Sequence, residues 1–122
     1  MKILYVEDNP DNIYMLTRRL KKKGFEMIIA GDGQEGIDMA LEEKPDLILM
    51  DLSLPTMDGW TATEKIKKID EIKDIPIIAL SAHAMPEHRD RAINAGCSDY
   101  DTKPVDIKRL LGKISQYIDI AD

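Results

Sequence analysis

Five short apolar runs, separated by segments of helical periodicity, constrain the fold of this chain more than any other feature. Four of the runs begin at Ile3, Met27, Leu47 and Ile77, and a weaker one lies around residues 98–101. The four strong runs show no alternation of apolar and polar residues, which is typical of strands buried on both faces of a parallel sheet. The alternation of strands and helices predicts βαβ units with right-handed crossovers. We therefore expect an α/β protein, a (βα)5 doubly wound five-stranded parallel sheet.

The segments between these runs carry apolar residues at helical spacing and have recognisable ends. Proline is favoured in the first helical turn, and glycine often follows the last one. The first predicted helix runs from Pro10 to Gly24, and the second ends before Pro45. The third runs from Asp58–Gly59 to Ile69, the fourth from Pro86 to Gly96, and the fifth from Ile107 to Ile118.

Length and charge exclude several classes of protein. A chain of 122 residues has the usual size of one domain. Its formal net charge of −6 would repel a polyanion, so we expect no direct nucleic acid binding. A single cysteine, Cys97, can form neither an internal disulfide nor a cysteine-based zinc site. No apolar stretch reaches membrane-spanning length and no export signal precedes Ile3, so we expect a cytoplasmic protein without a membrane partner.

Polar side chains follow the predicted strands at the points where the strands end. Glu7 and Asp8 follow the first strand, Asp51 the third, Ser81 the fourth, and Lys103 comes shortly after the fifth. Any one of these residues could be polar simply because the end of a strand is exposed to solvent. Ligands of open parallel sheets bind beyond the carboxyl ends of the strands, however, so the five together indicate a site. Clustered carboxylates suit a hard cation such as Mg²⁺.

An acidic cluster with one lysine opposite it favours phosphoryl chemistry. A carboxylate can form an aspartyl phosphate if a metal ion and a cation neutralise the transferring oxygens. Asp51 is the natural nucleophile because it ends a central apolar strand. In this hypothesis Glu7 and Asp8 hold the metal, while Lys103 and Ser81 bind phosphoryl oxygens.

Short motifs throughout the chain resemble those of the response regulator receiver domain, the phospho-acceptor half of two-component signalling. They are Val6-Glu7-Asp8-Asn9, Asp46–Asp51, Leu54–Gly59, Ala79–Ala82, Ala95–Tyr100 and Lys103-Pro104. The resemblance implies the flavodoxin-like strand order 2-1-3-4-5. It also implies that residues 1–122 form one receiver domain with no output domain.

The resemblance further implies the roles of the metal and acceptor residues. Asp51 would accept a phosphoryl group from a sensor histidine kinase or a histidine phosphotransfer protein. Mg²⁺, or alternatively Mn²⁺, would be bound by Asp8, Asp51 and the backbone carbonyl of Ser53, with Glu7 assisting through the waters of the metal.

A switch and a partner surface are implied in the same way. Lys103 matches the family lysine, and its bond to Pro104 would be cis. Ser81 and Tyr100 would form the switch, in which the hydroxyl moves to the phosphoryl group and the ring turns inward. The fourth helix, fifth strand and fifth helix would then bind a downstream protein target.

Other functions are compatible with parts of this pattern. An aspartate-nucleophile phosphohydrolase uses a second aspartate, two residues after the nucleophile, as its general acid. This chain has Ser53 at that position, which disfavours a phosphohydrolase. A flavodoxin-like cofactor binder would need a hydroxyl- and glycine-rich loop that binds phosphate after the first strand. This chain has the acidic residues Glu7-Asp8 there, which disfavours such a binder. A receiver domain excised from a hybrid histidine kinase would carry the same motifs. We expect a stand-alone signalling module and not an enzyme. The module would catalyse only its own phosphorylation and dephosphorylation.

Overall fold

The chain folds into five strands and five helices in strict alternation in a computed structural model, which describes residues 1–54, 57–82 and 86–118. Pro55 and Thr56 of one receiver motif, and residues 119–122 of the predicted domain, lie outside the described residues. The strands are β1 (Lys2–Val6), β2 (Glu26–Ala30), β3 (Leu47–Asp51), β4 (Ile77–Ser81) and β5 (Asp99–Thr102). The helices are α1 (Pro10–Lys22), α2 (Gly33–Glu43), α3 (Gly59–Ile66), α4 (Pro86–Ala95) and α5 (Ile107–Ile114).

All strand pairs are parallel, and their order in the sheet is β2-β1-β3-β4-β5. The predicted fold class and strand order are therefore confirmed. β1 lies in the interior of the sheet, where Tyr5 is opposite Ile29 of β2 and Leu49 of β3. Every residue of β3 and β4 is buried, as expected of strands without alternation.

Helix ends differ from the predictions where apolar spacing continues beyond the helix. α3 ends at Ile66 instead of Ile69, because tight turns follow in which the Ile69 N–H donates to the Ile66 carbonyl at 3.1 Å. α5 likewise ends at Ile114 instead of Ile118. Ile69 and Ile118 nevertheless pack against the core. Apolar spacing thus reports burial and not the helical hydrogen-bond pattern.

Helices cover the two faces of the sheet unequally. A larger core cluster joins one face to α2, α3 and α4 through Ile37, Ala62, Ile66 and Ala92. A smaller core cluster joins the other face to α1 and α5; it includes Leu16, Leu20, Leu110 and Ile114. None of the helices within the described ranges is long and apolar enough to cross a bilayer.

The chain leaves β1 and β3 toward opposite faces, because α1 packs on the smaller cluster and α3 on the larger one. Such a divergence between neighbouring strands opens a crevice at their carboxyl ends. α1 begins close to β1 because the side chain of Asn9 accepts hydrogen bonds from the backbone N–H groups of Asp11 at 2.9 Å and Asn12 at 3.1 Å. Asp58 caps α3 in the same way through the N–H of Thr61 at 2.8 Å. The two caps fix where the chain leaves the crevice.

Candidate functional site

Three of the predicted carboxylates meet in this crevice. Glu7 follows β1, Asp51 is the last residue of β3, and one carboxylate oxygen from each of Glu7, Asp8 and Asp51 lies within 4.8 Å of the others. Glu7 and Asp51 are buried, while Asp8 is exposed. We refer to Glu7, Asp8 and Asp51 as the acidic site.

Lys103 reaches the acidic site from the loop after β5. Its Nζ lies 2.9 Å from Glu7 Oε1 and 3.3 Å from Asp51 Oδ1. The backbone N–H of Lys103 donates to the carbonyl of Ser81 at 2.8 Å, which ties this loop to the end of β4. The peptide bond between Lys103 and Pro104 is cis. The ammonium is therefore placed between two buried carboxylates.

Glu7 accepts hydrogen bonds at both of its carboxylate oxygens. Besides Lys103, Oε1 accepts from the Tyr5 hydroxyl at 3.0 Å and from Asn12 Nδ2 at 3.4 Å. Oε2 accepts from the backbone N–H groups of Asp8 at 3.2 Å and Asn9 at 3.4 Å. This number of donors allows a carboxylate to remain charged although it is buried.

Tyr5 and Asn12 are partners of Glu7 that were not predicted from the sequence. Tyr5 lies within the first apolar run, which predicts a buried strand, yet residues two apart in a strand share a face. That spacing between Tyr5 and Glu7 was the available signal. For Asn12 the sequence offered none, because its contact depends on the direction in which α1 leaves the crevice.

The charges of the acidic site shift the pKa values of its members in different directions. Burial, together with the nearby Glu7 carboxylate, raises the pKa of Asp51 to about 6 against the attraction of Lys103. Burial also acts to raise the pKa of Glu7, but hydrogen bonds from Asp51 and Lys103 outweigh it and lower that pKa. Burial opposes the charge of Lys103, yet both carboxylates raise its pKa overall. Near neutral pH the site therefore holds a charged lysine and an Asp51 whose negative charge is costly.

The backbone around Asp51 is held by short-range contacts. The N–H of Ser53 donates to Asp51 Oδ1 at 3.1 Å. Gly59 opens α3 directly against this segment, and a Cβ at Gly59 would clash with the backbone carbonyl oxygen of Asp51. The role predicted for the Ser53 carbonyl as a metal ligand remains a prediction.

The two predicted switch residues lie at the ends of neighbouring strands. Ser81 is buried at the end of β4, opposite Thr102 of β5. Tyr100 pairs with Ala79 and is buried in the larger core cluster, so its ring already packs inside the protein. Movement of either residue on phosphorylation remains a prediction.

The donor set of the acidic site fits a hard divalent cation. Three carboxylates converge within 4.8 Å, and oxygen ligands of this kind suit Mg²⁺, which keeps several waters and needs only one or two carboxylates from the protein. The acidic site could therefore bind a metal ion.

Known proteins share this fold and most of the length of the chain. The polar-differentiation response regulator DivK of Brucella anthropi is 37% identical over 116 residues, which cover 95% of this chain and 94% of DivK. The receiver domain of the sensor histidine kinase PA1611 from Pseudomonas aeruginosa, solved with a magnesium ion in its active site cleft, has a TM-score of 0.88 at 34% identity and 95% coverage of both chains.

A third relative was solved in a complex. The receiver domain of the Saccharomyces cerevisiae response regulator Ssk1, crystallised with the histidine phosphotransfer protein Ypd1, has a TM-score of 0.87 at 32% identity. The match covers 96% of this chain and 88% of that one. The family described as the response regulator receiver domain matches residues 3–115. With five parallel strands in the order 2-1-3-4-5 and an acidic crevice at their carboxyl ends, the chain belongs to the response regulator receiver domain family.

Proposed function

We propose that this chain accepts a phosphoryl group on the carboxylate of Asp51 and signals by binding another protein in its phosphorylated form. One observation supports the proposal above all. Asp51 ends the central strand β3 in a buried position, with the Lys103 ammonium 3.3 Å from its Oδ1 and two further carboxylates beside it. Phosphoryl transfer to a carboxylate requires a nucleophile, a cation and metal-binding oxygens close together, so this arrangement supports the proposal.

The reaction moves one phosphoryl group between two residues. A carboxylate oxygen of Asp51 attacks the phosphorus of a phosphohistidine, an O–P bond forms, and the P–N bond breaks. The imidazole leaves with the electron pair of the broken bond and takes up a proton from solvent. Lys103 exchanges part of its contact with Asp51 for a phosphoryl oxygen, so that positive charge remains where negative charge develops.

The residues that would hold the divalent cation are Glu7, Asp8, Asp51 and the backbone carbonyl of Ser53. When bound, Mg²⁺ or Mn²⁺ would neutralise phosphoryl oxygens and the excess negative charge of the acidic site. Glu7 is also held by its own hydrogen bonds and by Lys103, so it would assist in holding the cation without needing a direct bond to it.

We assign the output to Ser81, Tyr100 and the surface formed by α4, β5 and α5. Ser81 lies at the end of the strand next to Asp51, which allows its hydroxyl to donate to a phosphoryl oxygen. Tyr100 lies in β5 and therefore links this change to the surface. New charge-assisted hydrogen bonds would bias the switch toward the state that a downstream target binds.

The relatives support a histidine kinase or a histidine phosphotransfer protein as the phosphodonor, since one relative is part of a sensor kinase and another was crystallised with a phosphotransfer protein. We propose a stand-alone regulator because the curated relative DivK is covered over 94% of its own length. A receiver domain of a hybrid histidine kinase is the second candidate, favoured by the 34% identity to the PA1611 receiver. Phosphotransfer profiling against purified histidine kinases would identify the donor in either case.

The test of this proposal is phosphorylation by acetyl phosphate in the presence of Mg²⁺, followed by intact-mass measurement. We expect the wild type to gain one phosphoryl group and Asp51→Asn to gain none. Asp38→Asn is the matched control, because Asp38 is an exposed aspartate of α2 outside the acidic site. An Asp51→Asn protein modified to the wild-type level would contradict the proposal. Steady turnover of p-nitrophenyl phosphate would instead support the phosphohydrolase alternative. That alternative is disfavoured because Ser53 stands where such an enzyme has its general acid.

A further inference from the structure

We propose that Tyr5 is a positioning residue for phosphoryl transfer: its hydroxyl holds the Glu7 carboxylate, and through it the Lys103 ammonium, in place for the reaction at Asp51. This inference rests on the proposed function and adds a residue to it. We assign Tyr5 no bond to the transferring group.

The contacts of Tyr5 connect the core to the acidic site. Its side chain is buried in the smaller core cluster, and its hydroxyl donates to Glu7 Oε1 at 3.0 Å. Lys103 Nζ donates to the same oxygen at 2.9 Å. Two donors on one oxygen fix both the direction of the Glu7 carboxylate and the position from which Lys103 reaches Asp51. Asn12 Nδ2 adds a longer contact of 3.4 Å to this oxygen.

Packing alone does not account for a tyrosine at this position. β1 is otherwise apolar from Ile3 to Val6, and a residue without a hydroxyl could fill the same core. A buried tyrosine hydroxyl needs a hydrogen-bond partner, and here the partner is a functional carboxylate. Burial and the charge of Glu7 raise the pKa of Tyr5, so the hydroxyl keeps its proton and remains a donor.

Loss of this donor changes the acidic site while leaving its charges unchanged. Without the hydroxyl, Glu7 Oε2 keeps its hydrogen bonds from the backbone N–H groups of Asp8 and Asn9. Oε1 is then held by Lys103 and the longer Asn12 contact, so Oε1 and the ammonium can shift together. Misplacement of a cation relative to a reacting group lowers the rate far more than it lowers ground-state binding. We therefore expect the phosphorylation rate of Asp51 to depend on Tyr5 through Glu7 and Lys103.

The experiment measures the rate of phosphorylation by acetyl phosphate under saturating Mg²⁺ in Tyr5→Phe, which keeps the ring and removes only the hydroxyl. We expect the rate to fall about 10-fold, the effect of one hydrogen bond to a charged group. Asn12→Ala should also lower the rate, but by less than Tyr5→Phe does. Tyr14→Phe is the matched control, because Tyr14 is 66% exposed on α1, and its rate should equal that of the wild type.

A double-mutant cycle with Glu7→Ala separates positioning from packing. If Tyr5 acts through Glu7, Tyr5→Phe should change the rate less than twofold in the Glu7→Ala background. An equal effect in both backgrounds would show that Tyr5 acts through packing and would overturn the inference.

Failure of the inference differs from failure of the proposed function. A wild type that is phosphorylated on Asp51, with a Tyr5→Phe protein of equal rate, overturns the role of Tyr5 alone. A wild type that is not phosphorylated overturns both the proposed function and the role of Tyr5 in it.

Discussion

Replacing Asp51 by asparagine should stabilise the metal-free protein, against the usual tendency of substitutions to destabilise. Asp51 is buried beside Glu7, and these surroundings raise its pKa to about 6 although Lys103 lies 3.3 Å away. A raised pKa means that the folded protein disfavours the charged form. Asparagine keeps the shape of the side chain and its oxygen can still accept from the N–H of Ser53, but it carries no charge.

The size of the effect follows from the difference between folded and unfolded pKa values. The folded protein binds the proton of Asp51 more tightly than the unfolded chain, whose aspartate has the ordinary value of 3.8. The contribution of Asp51 to stability is therefore retained below pH 3.8 and lost as the pH rises through about 6. The resulting advantage of Asp51→Asn is about 3 kcal/mol at pH 7.5 and falls below about 1 kcal/mol at pH 4.

Urea unfolding in EDTA at several pH values measures this advantage. We expect Asp51→Asn to unfold at higher urea than the wild type at pH 7.5, and the two midpoints to converge toward pH 4. Asp38→Asn serves as the control for removing one negative charge from this acidic protein. A wild type that is more stable than Asp51→Asn at pH 7.5, or a gap that does not shrink with falling pH, would show that the charge of Asp51 does not destabilise the folded protein.

Magnesium provides the second arm of the same experiment. A cation that binds only the folded state stabilises it by RT ln(1 + [Mg²⁺]/Kd), about 1.4 kcal/mol at ten times Kd. The wild type should gain this stability, and Asp51→Asn should gain much less because it lacks one ligand. A wild-type midpoint that ignores Mg²⁺ would mean that the acidic site does not bind the metal.

Three further outcomes are expected. Lys103→Ala should still bind Mg²⁺ in calorimetry but accept phosphoryl groups about 10²-fold more slowly, and normal transfer kinetics would remove its assigned role. Gly59→Ala should lower the free energy of unfolding in urea by about 1–3 kcal/mol, because its Cβ would meet the backbone carbonyl of Asp51, and an unchanged value would show that the loop can move aside. Beryllofluoride should shift amide resonances of α4 and α5 more than those of residues 25–45, and shifts confined to residues 25–45 would contradict the proposed switch.

The strands were predictable because burial on both faces leaves a direct mark on sequence. Continuous apolar runs correctly placed β1 to β4, whereas β5 was a weak signal because Asp99 and Asp101 alternate with Tyr100 in it. These aspartates face α5, where Lys113 lies 3.3 Å from Asp99 and Arg109 lies 2.7 Å from Asp101. Ion pairs thus replace apolar contacts at this edge strand, and composition alone does not show that.

The acidic site was only partly predictable. Glu7, Asp8 and Asp51 end their strands, and parallel strands deliver such residues to one edge of the sheet, so their convergence could be inferred. The contact of Lys103 with Glu7 joins residues 96 positions apart and depends on how the loop after β5 returns to β1. The position of Lys103 at this edge could be predicted from the end of the fifth strand, but no pattern in the sequence reports that it pairs with Glu7.

Locating the phosphoryl group on the chain tests directly whether Asp51 is the acceptor. Borohydride reduces an aspartyl phosphate to homoserine, which peptide sequencing by mass spectrometry can place at a single residue. After reaction with acetyl phosphate and Mg²⁺, we expect homoserine at position 51 alone, and none when Mg²⁺ is replaced by EDTA. Homoserine at Asp8 or at another aspartate, or modification that persists in EDTA, would contradict the assignment of Asp51 as the acceptor.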